Sequence, residues 1–130
     1  SHGALICHML AAHPECPNLS GVVIIQGALR EDTLWPKYLP VLCLHNSNDW
    51  IVVLGRVWGR LAHGGPTGWG SAGRNGFSAE QANVANLDMA SQLFTADPGI
   101  HGGVLEEPAV DYWGERIARW INHVMNAREA

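Results

Sequence analysis

Blocks of apolar and polar residues along the chain predict helices and strands in turn. Residues 3–13 are rich in Ala, Leu and Met, contain no proline and predict a helix that the following prolines end. Residues 21–27 (GVVIIQG) and 40–45 (PVLCLH) are short apolar runs bounded by turn-forming residues. Such continuous runs are typical of strands that are covered on both faces.

The second half of the chain predicts more helix than strand. Apolar residues at helical spacing indicate a helix over 53–62, and a Gly- and Trp-rich stretch at 63–76 indicates a long exposed loop. A capping-box pattern predicts a short helix over 78–90, and the run QLFTA predicts a third strand at 92–96. The strongest helix is expected over 108–127. Its apolar stripe comprises Val110, Trp113, Ile117, Trp120, Ile121 and Val124.

This alternation of strands and helices predicts an α/β fold, in which a parallel sheet is flanked by helices within one domain spanning 1–130. Three strands make a thin sheet with an apolar edge. We therefore expect a partial domain, with a missing N-terminal half or another chain completing the sheet.

Composition narrows the range of partners. The formal net charge of −4 and the absence of a Lys/Arg cluster argue against a nucleic-acid partner. No apolar run approaches the roughly 20 residues of a membrane span. The three cysteines favour free thiols in a reducing compartment such as the cytoplasm, with a Cys7–Cys16 disulfide as the alternative. The Cys and His spacings indicate no metal site.

Three residues suited to acyl-transfer chemistry occupy favourable places in this pattern. Ser1 precedes the first predicted helix, Asp49 follows the strand at 40–45, and His101 follows the strand at 92–96. Ligands of open parallel sheets bind at the carboxyl ends of the strands, so these side chains are expected to lie near one another. The chain order Ser, Asp, His is also the order of α/β-hydrolase triads.

Three segments of the sequence resemble motifs of one protein family. Residues 1–4 (SHGA) resemble the second half of a G-x-S-x-G nucleophile elbow, and 40–52 (PVLCLHNSNDWIV) resemble a P-V-L-x-x-H-G-x-x-D-x-x-V acid segment. Residues 99–103 (GIHGG) resemble a histidine loop. Together they make the chain similar to the C-terminal half of a serine-esterase-like α/β-hydrolase. It departs from that family by a Gly/Trp-rich insertion at about 64–90 and by Asn46 in place of a glycine.

The resemblance implies a function and a role for each residue. Ser1 would be the nucleophile, His101 the base, Asp49 the residue that orients the imidazole, and the backbone N–H of His2 an oxyanion donor. The expected substrate is a small-molecule ester, and no cofactor is implied. We expect two tryptophans to line an apolar acyl pocket, Trp50 and Trp69.

Alternatives remain for individual residues and for the function. Asp32 and Asp97 compete with Asp49 as the acid. His45 and His63 compete with His101, although His45 ends a strand and is expected to be packed or hydrogen-bonded. Two other functions also stay open. One is a catalytically incomplete fragment or interaction domain, and the other is a hydrolase in which the α-amino group of Ser1 acts as the base.

Overall fold

A computed structural model of the 130-residue chain describes residues 2–15, 19–63, 70–78, 80–91, 101, 103–107 and 109–130. The elements in that part of the chain are, in order, helix α1 (His2–Ala12), strands β1 (Val22–Ile25) and β2 (Val41–His45), helices α2 (Trp50–His63) and α3 (Ala72–Asn75), strand β3 (Val84–Asp88) and helix α4 (Ala109–Glu129). Single 3₁₀ turns occupy Met89–Ser91 and Gly103–Leu105. The predicted helices at 3–13, 53–62 and 108–127 and the strands at 21–27 and 40–45 are confirmed, with shifts at their ends.

The described strands form one parallel sheet in the order β1-β2-β3. Val22 pairs with Val41 at the start of β1, and His45 pairs with Asp88 at the end of β3. The central strand β2 has four buried residues out of five, as its continuous apolar sequence predicts. The α/β class with a parallel sheet and flanking helices is therefore confirmed.

Two apolar cores cover the two faces of this sheet. Successive side chains of a strand point to opposite faces. The first core, on the α1 side, contains Val22, Ile24, Val41 and Cys43 together with two alanines of α1. The second core lies on the α4 side and is built around Trp113, which has no exposed surface. Its members are Leu42, Leu44, Met89, Ala109 and Trp113, with Ile117 and Trp120 packed against them.

The predicted helix over 78–90 is wrong, because residues 84–88 form β3. Two of the five residues of β3, Asn86 and Asp88, are polar, and they bond to backbone groups instead of following a helical stripe. Asn86 accepts a hydrogen bond from the backbone N–H of Phe77 at 2.9 Å and donates one to the Phe77 carbonyl at 2.9 Å. These bonds tie β3 to the segment that follows α3, while parallel pairing joins β3 to β2. The predicted strand at 92–96 lies outside the described residues.

The expectation of an exposed loop over 63–76 is wrong for residues 70–73, which are buried. The glycines there allow backbone to meet backbone. A Cβ at Gly70 would lie 2.3 Å from the Cα of Arg30, and one at Gly73 would lie 2.5 Å from the carbonyl carbon of Gln26. Gly70 and Gly73 therefore allow close packing against the segment that follows β1.

Two of the cysteines are free thiols with opposite environments. Cys7 is exposed, whereas Cys43 is buried in β2 and its burial raises the pKa of the thiol to about 12. We expect iodoacetamide at pH 8 to modify Cys7 in the folded protein and Cys43 only in denaturant, as read by peptide mass spectrometry. Equal modification of both thiols in the folded protein would contradict this burial.

Because folding raises the pKa of Cys43, the free energy of unfolding depends on pH in the alkaline range. The thiol titrates at about 9 in an unfolded chain and at about 12 in the folded one. The unfolded state therefore releases a proton first as the pH rises. The Cys43 contribution to the free energy of unfolding is complete below pH 9 and is lost between pH 9 and 12.

Candidate active site

The candidate site lies at the carboxyl ends of β1 and β2, where a tight turn follows β2. The Asn46 side chain accepts a hydrogen bond from the backbone N–H of Asn48 at 2.9 Å, and the Asn46 carbonyl accepts one from Asp49 N–H at 2.9 Å. The Asn46 N–H also donates to the carbonyl of Gly73. Asparagine suits this place because its side chain closes such turns. The Asn46 side chain therefore helps to build the turn that presents Asp49.

Asp49 is fully buried, and both of its carboxylate oxygens are engaged. Oδ1 accepts hydrogen bonds from the backbone N–H groups of Ile51 at 3.0 Å and Val52 at 3.3 Å, so Asp49 caps α2. Oδ2 accepts a hydrogen bond from Gln26 Nε2 at 3.1 Å and lies 2.7 Å from His101 Nδ1. The carboxylate is thus fixed by the start of its own helix and aimed at the imidazole.

The geometry assigns the tautomer of His101. A carboxylate only accepts hydrogen bonds, so the short contact with Asp49 requires a proton on Nδ1. Nε2 lies on the other side of the ring and is left to accept a proton from another group. The side chain is 24% exposed, so a reactant can reach the ring. The structure therefore brings together two of the predicted site residues in the arrangement of a base and its orienting acid.

The first turn of α1 reaches the same edge of the sheet. A Cβ at Gly27, which directly follows Gln26, would lie 2.8 Å from the Cβ of Ala4. α1 begins at His2, and the first N–H groups of a helix have no partner within it. The predicted oxyanion donor therefore belongs to a helix N-terminus near the end of β1. Ser1 lies outside the described residues.

Among the residues that compete with Asp49 and His101 as acid and base, those whose side chains the structure describes have other hydrogen-bond partners. His45 Nδ1 donates to the Arg74 carbonyl at 3.0 Å, which confirms that His45 is hydrogen-bonded at its strand end. Asp32 is exposed and forms a bidentate pair with Arg30, whose hydrogen bond lowers the pKa of that carboxyl. The side chain of His63, at the end of α2, lies outside the described part, as does Asp97.

Of the two tryptophans predicted to line an acyl pocket, the structure describes only Trp50. Trp50 is the first residue of α2, directly after Asp49, and its side chain is 62% exposed. The guanidinium of Arg74 lies 4.5 Å from the centre of its ring. Trp50 therefore keeps an exposed aromatic surface that is partly covered by Arg74. Trp69 lies outside the described residues.

Gln26 is a site residue that the sequence pattern did not indicate. It follows β1, is 1% exposed, and contacts Asp49. The signal was a lone amide side chain at the carboxyl end of an otherwise apolar run. In an open parallel sheet, residues that directly follow the carboxyl ends of the strands lie at the edge where ligands bind.

No protein-family model, curated protein or solved structure matches the chain. Within the described residues, no three His, Cys, Asp or Glu side chains are grouped as metal ligands. None of the described helices is both long enough and apolar enough to span a membrane.

Proposed function

We propose that this chain carries the active site of a serine hydrolase that cleaves carboxylic esters, resembling the C-terminal half of an α/β-hydrolase. The observation that carries the proposal is the buried Asp49 carboxylate held 2.7 Å from Nδ1 of the partly exposed His101. This pair orients an imidazole so that Nε2 can act as a base. The start of α1 at the same edge of the sheet supports Ser1 as the nucleophile.

In the proposed reaction, Ser1 Oγ attacks the ester carbonyl while His101 Nε2 accepts the hydroxyl proton. The carbonyl oxygen becomes an oxyanion, to which His2 N–H donates. Collapse of the tetrahedral intermediate breaks the bond to the alcohol, which leaves with the proton from His101. Water then attacks the acyl-serine with His101 again as base, and the acid product leaves with Ser1 restored.

Trp50 is proposed to contact the apolar part of the ester, because it directly follows Asp49 in the chain and its side chain is largely exposed. Trp69 is proposed for the same pocket from the sequence alone. A second oxyanion donor would have to come from another segment. The loss of one such donor typically lowers kcat by about 10²–10³-fold, so its source matters for the rate.

A specific observation favours a second candidate, an incomplete hydrolase domain. β1 forms an edge of the described sheet, and α1 beside it exposes Ile6, Met9 and Leu10 by more than half. Open strand edges and apolar surface of this kind favour pairing with further polypeptide. In this candidate, a preceding half of the domain or another chain completes the sheet before the site becomes active.

The test is labelling with a fluorophosphonate. Attack by Ser1 Oγ on phosphorus expels fluoride and leaves a stable phosphonyl-serine, which peptide mass spectrometry locates. We expect labelling of Ser1 that is lost in His101→Ala and retained in the control His123→Ala, whose histidine lies on α4.

Other outcomes identify the alternatives. Labelling that survives His101→Ala but is lost when the α-amine is acetylated would contradict the triad and support the N-terminal-nucleophile hydrolase. Labelling that appears only after an N-terminal half is added would support the incomplete domain. The absence of labelling under both conditions would contradict the hydrolase proposal.

A further inference from the structure

Gln26 adopts a backbone conformation that its residue type does not favour. Its φ is +46°, the only positive value at a non-glycine position among the described residues. Glycine and asparagine adopt this region far more readily than glutamine does. The side chain is also almost completely buried, at 1% exposure. A strained, buried amide at the end of a strand points to a role for the side chain itself.

The position of the Gln26 backbone is fixed on two sides. A Cβ at Gly73 would lie 2.5 Å from the Gln26 carbonyl carbon, so α3 packs directly against this peptide. The Gln26 N–H donates to the Leu44 carbonyl at 2.8 Å, which ties the residue to the end of β2. Both contacts involve backbone atoms, so a substitution of the side chain leaves them in place.

The amide of Gln26 shares one oxygen with His101. Gln26 Nε2 donates to Asp49 Oδ2 at 3.1 Å, and His101 Nδ1 lies 2.7 Å from the same atom. Oδ1 is separately held by the start of α2. Gln26 is therefore not needed to cap α2. Its hydrogen bond withdraws charge from the oxygen that stabilises the His101 imidazolium.

We propose that Gln26 is a positioning residue that limits how strongly Asp49 holds the proton of His101, and that it thereby sets the pH range in which His101 can act as a base. This inference rests on the proposed hydrolase function only for its consequence in catalysis. The hydrogen-bond relay from Gln26 through Asp49 to His101 stands on the geometry. An imidazole held too strongly as imidazolium is a poor base near neutral pH.

The first experiment uses the wild-type chain. The side-chain NH₂ of Gln26 and the Cε1–H of His101 are followed by NMR between pH 4 and 9. We expect one Gln26 amide proton to shift with the same midpoint as His101, because both groups bond to Oδ2. A Gln26 amide that does not respond as His101 titrates would overturn the proposal.

The second experiment replaces the amide with an apolar side chain of similar length. In Gln26→Met, we expect the His101 titration midpoint to rise by about one pH unit, because Oδ2 then directs its charge to the imidazolium alone. The acidic limb of kcat/KM should move to higher pH by the same amount. An unchanged midpoint in a folded Gln26→Met variant would also overturn the proposal, and the wild-type titration decides if the variant does not fold.

Gln81→Met is the matched control. Gln81 Nε2 donates to the Thr33 carbonyl at 3.1 Å, and its Oε1 accepts from Trp35 N–H at 2.7 Å, so this glutamine contacts backbone groups only. We expect the His101 midpoint to be unchanged there. The NMR result is also independent of hydrolysis. A midpoint shift without fluorophosphonate labelling, in the chain alone and after an N-terminal half is added, would reject the hydrolase and keep the relay. Labelling without a midpoint shift would support the hydrolase and reject the relay.

Discussion

Asp49→Asn is expected to lower kcat for ester hydrolysis about 10⁴-fold while leaving the chain folded. Asparagine is as good a helix cap as aspartate, so its side-chain oxygen can keep the bonds to Ile51 and Val52. Its NH₂ group then takes the place of Oδ2 and faces His101. A donor at that place favours the tautomer with the proton on Nε2, and His101 can no longer accept a proton from a nucleophile there.

The measurement is kcat with a chromogenic short-chain ester, together with far-UV circular dichroism of both proteins. Asp88→Asn is the matched control, since Asp88 also ends a parallel strand and accepts a hydrogen bond from Ser47 N–H at 3.2 Å. We expect that variant to retain kcat within a few-fold. Equal activity of wild type and a folded Asp49→Asn variant would mean that the Asp49–His101 pair has only a structural role.

The Asp49→Asn substitution also changes the hydrogen bond that Gln26 makes. In Asp49→Asn, the new NH₂ group would face the Gln26 NH₂, so two donors would meet. A 180° turn of the Gln26 amide would present its oxygen instead and relieve this conflict. We therefore expect the loss of activity to come from His101 and not from unfolding of the strand end, and the circular dichroism spectrum distinguishes the two causes.

The parts of the fold that the sequence predicts are those in which burial is continuous or periodic. β2 is apolar at four of its five positions and buried, so its apolar run identified it directly. In α4, Trp113, Ile117 and Trp120 of the predicted stripe pack in the second core, while Ile121 at its edge is 44% exposed. Helical periodicity predicted which face of α4 packs against the sheet. The neighbouring elements determine how much of each side chain on that face is buried.

β3 could not be predicted because its stability comes from partners distant in sequence. Asn86 is satisfied by the backbone of Phe77, and Asn83 just before the strand donates to the carbonyls of Pro36 at 2.9 Å and Leu39 at 2.7 Å. The local sequence pattern does not show these bonds, because their partners are distant in sequence. The polar residues of 78–90 therefore indicated a capped helix. The buried glycines at 70–73 were missed for a related reason, since close backbone packing and an exposed loop have the same composition.

At the candidate site, the strand predicted before Asp49 is confirmed, whereas the strand predicted before His101 lies outside the described residues. Asp49 and His101 were singled out because each follows a predicted strand, and they lie 2.7 Å apart. Gln26 also follows a strand but was missed, since glutamine is rarely counted among reactive side chains. Its relevance comes from a positive φ and a contact with Asp49, neither of which a single sequence displays.

Trp113→Ala is expected to destabilise the protein more than any exposed substitution. The indole has no exposed surface and sits at the centre of the second core, between α4 and the sheet. Replacing such a side chain with alanine typically lowers the free energy of unfolding by about 3–5 kcal/mol, because apolar contacts are lost and a cavity remains. Domains of this size have only about 5–15 kcal/mol of stability in total.

Urea unfolding followed by far-UV circular dichroism measures this effect. With a slope of about 2 kcal/mol per molar urea, the midpoint of Trp113→Ala should fall by about 2 M. Trp58→Ala is the matched control, since Trp58 lies on α2 with 71% of its side chain exposed. We expect its free energy of unfolding to change by no more than about 0.5 kcal/mol. Similar midpoints for the two variants would show that the α4 face of the sheet is not a packed core, because the same substitution would then remove no buried contacts at either place.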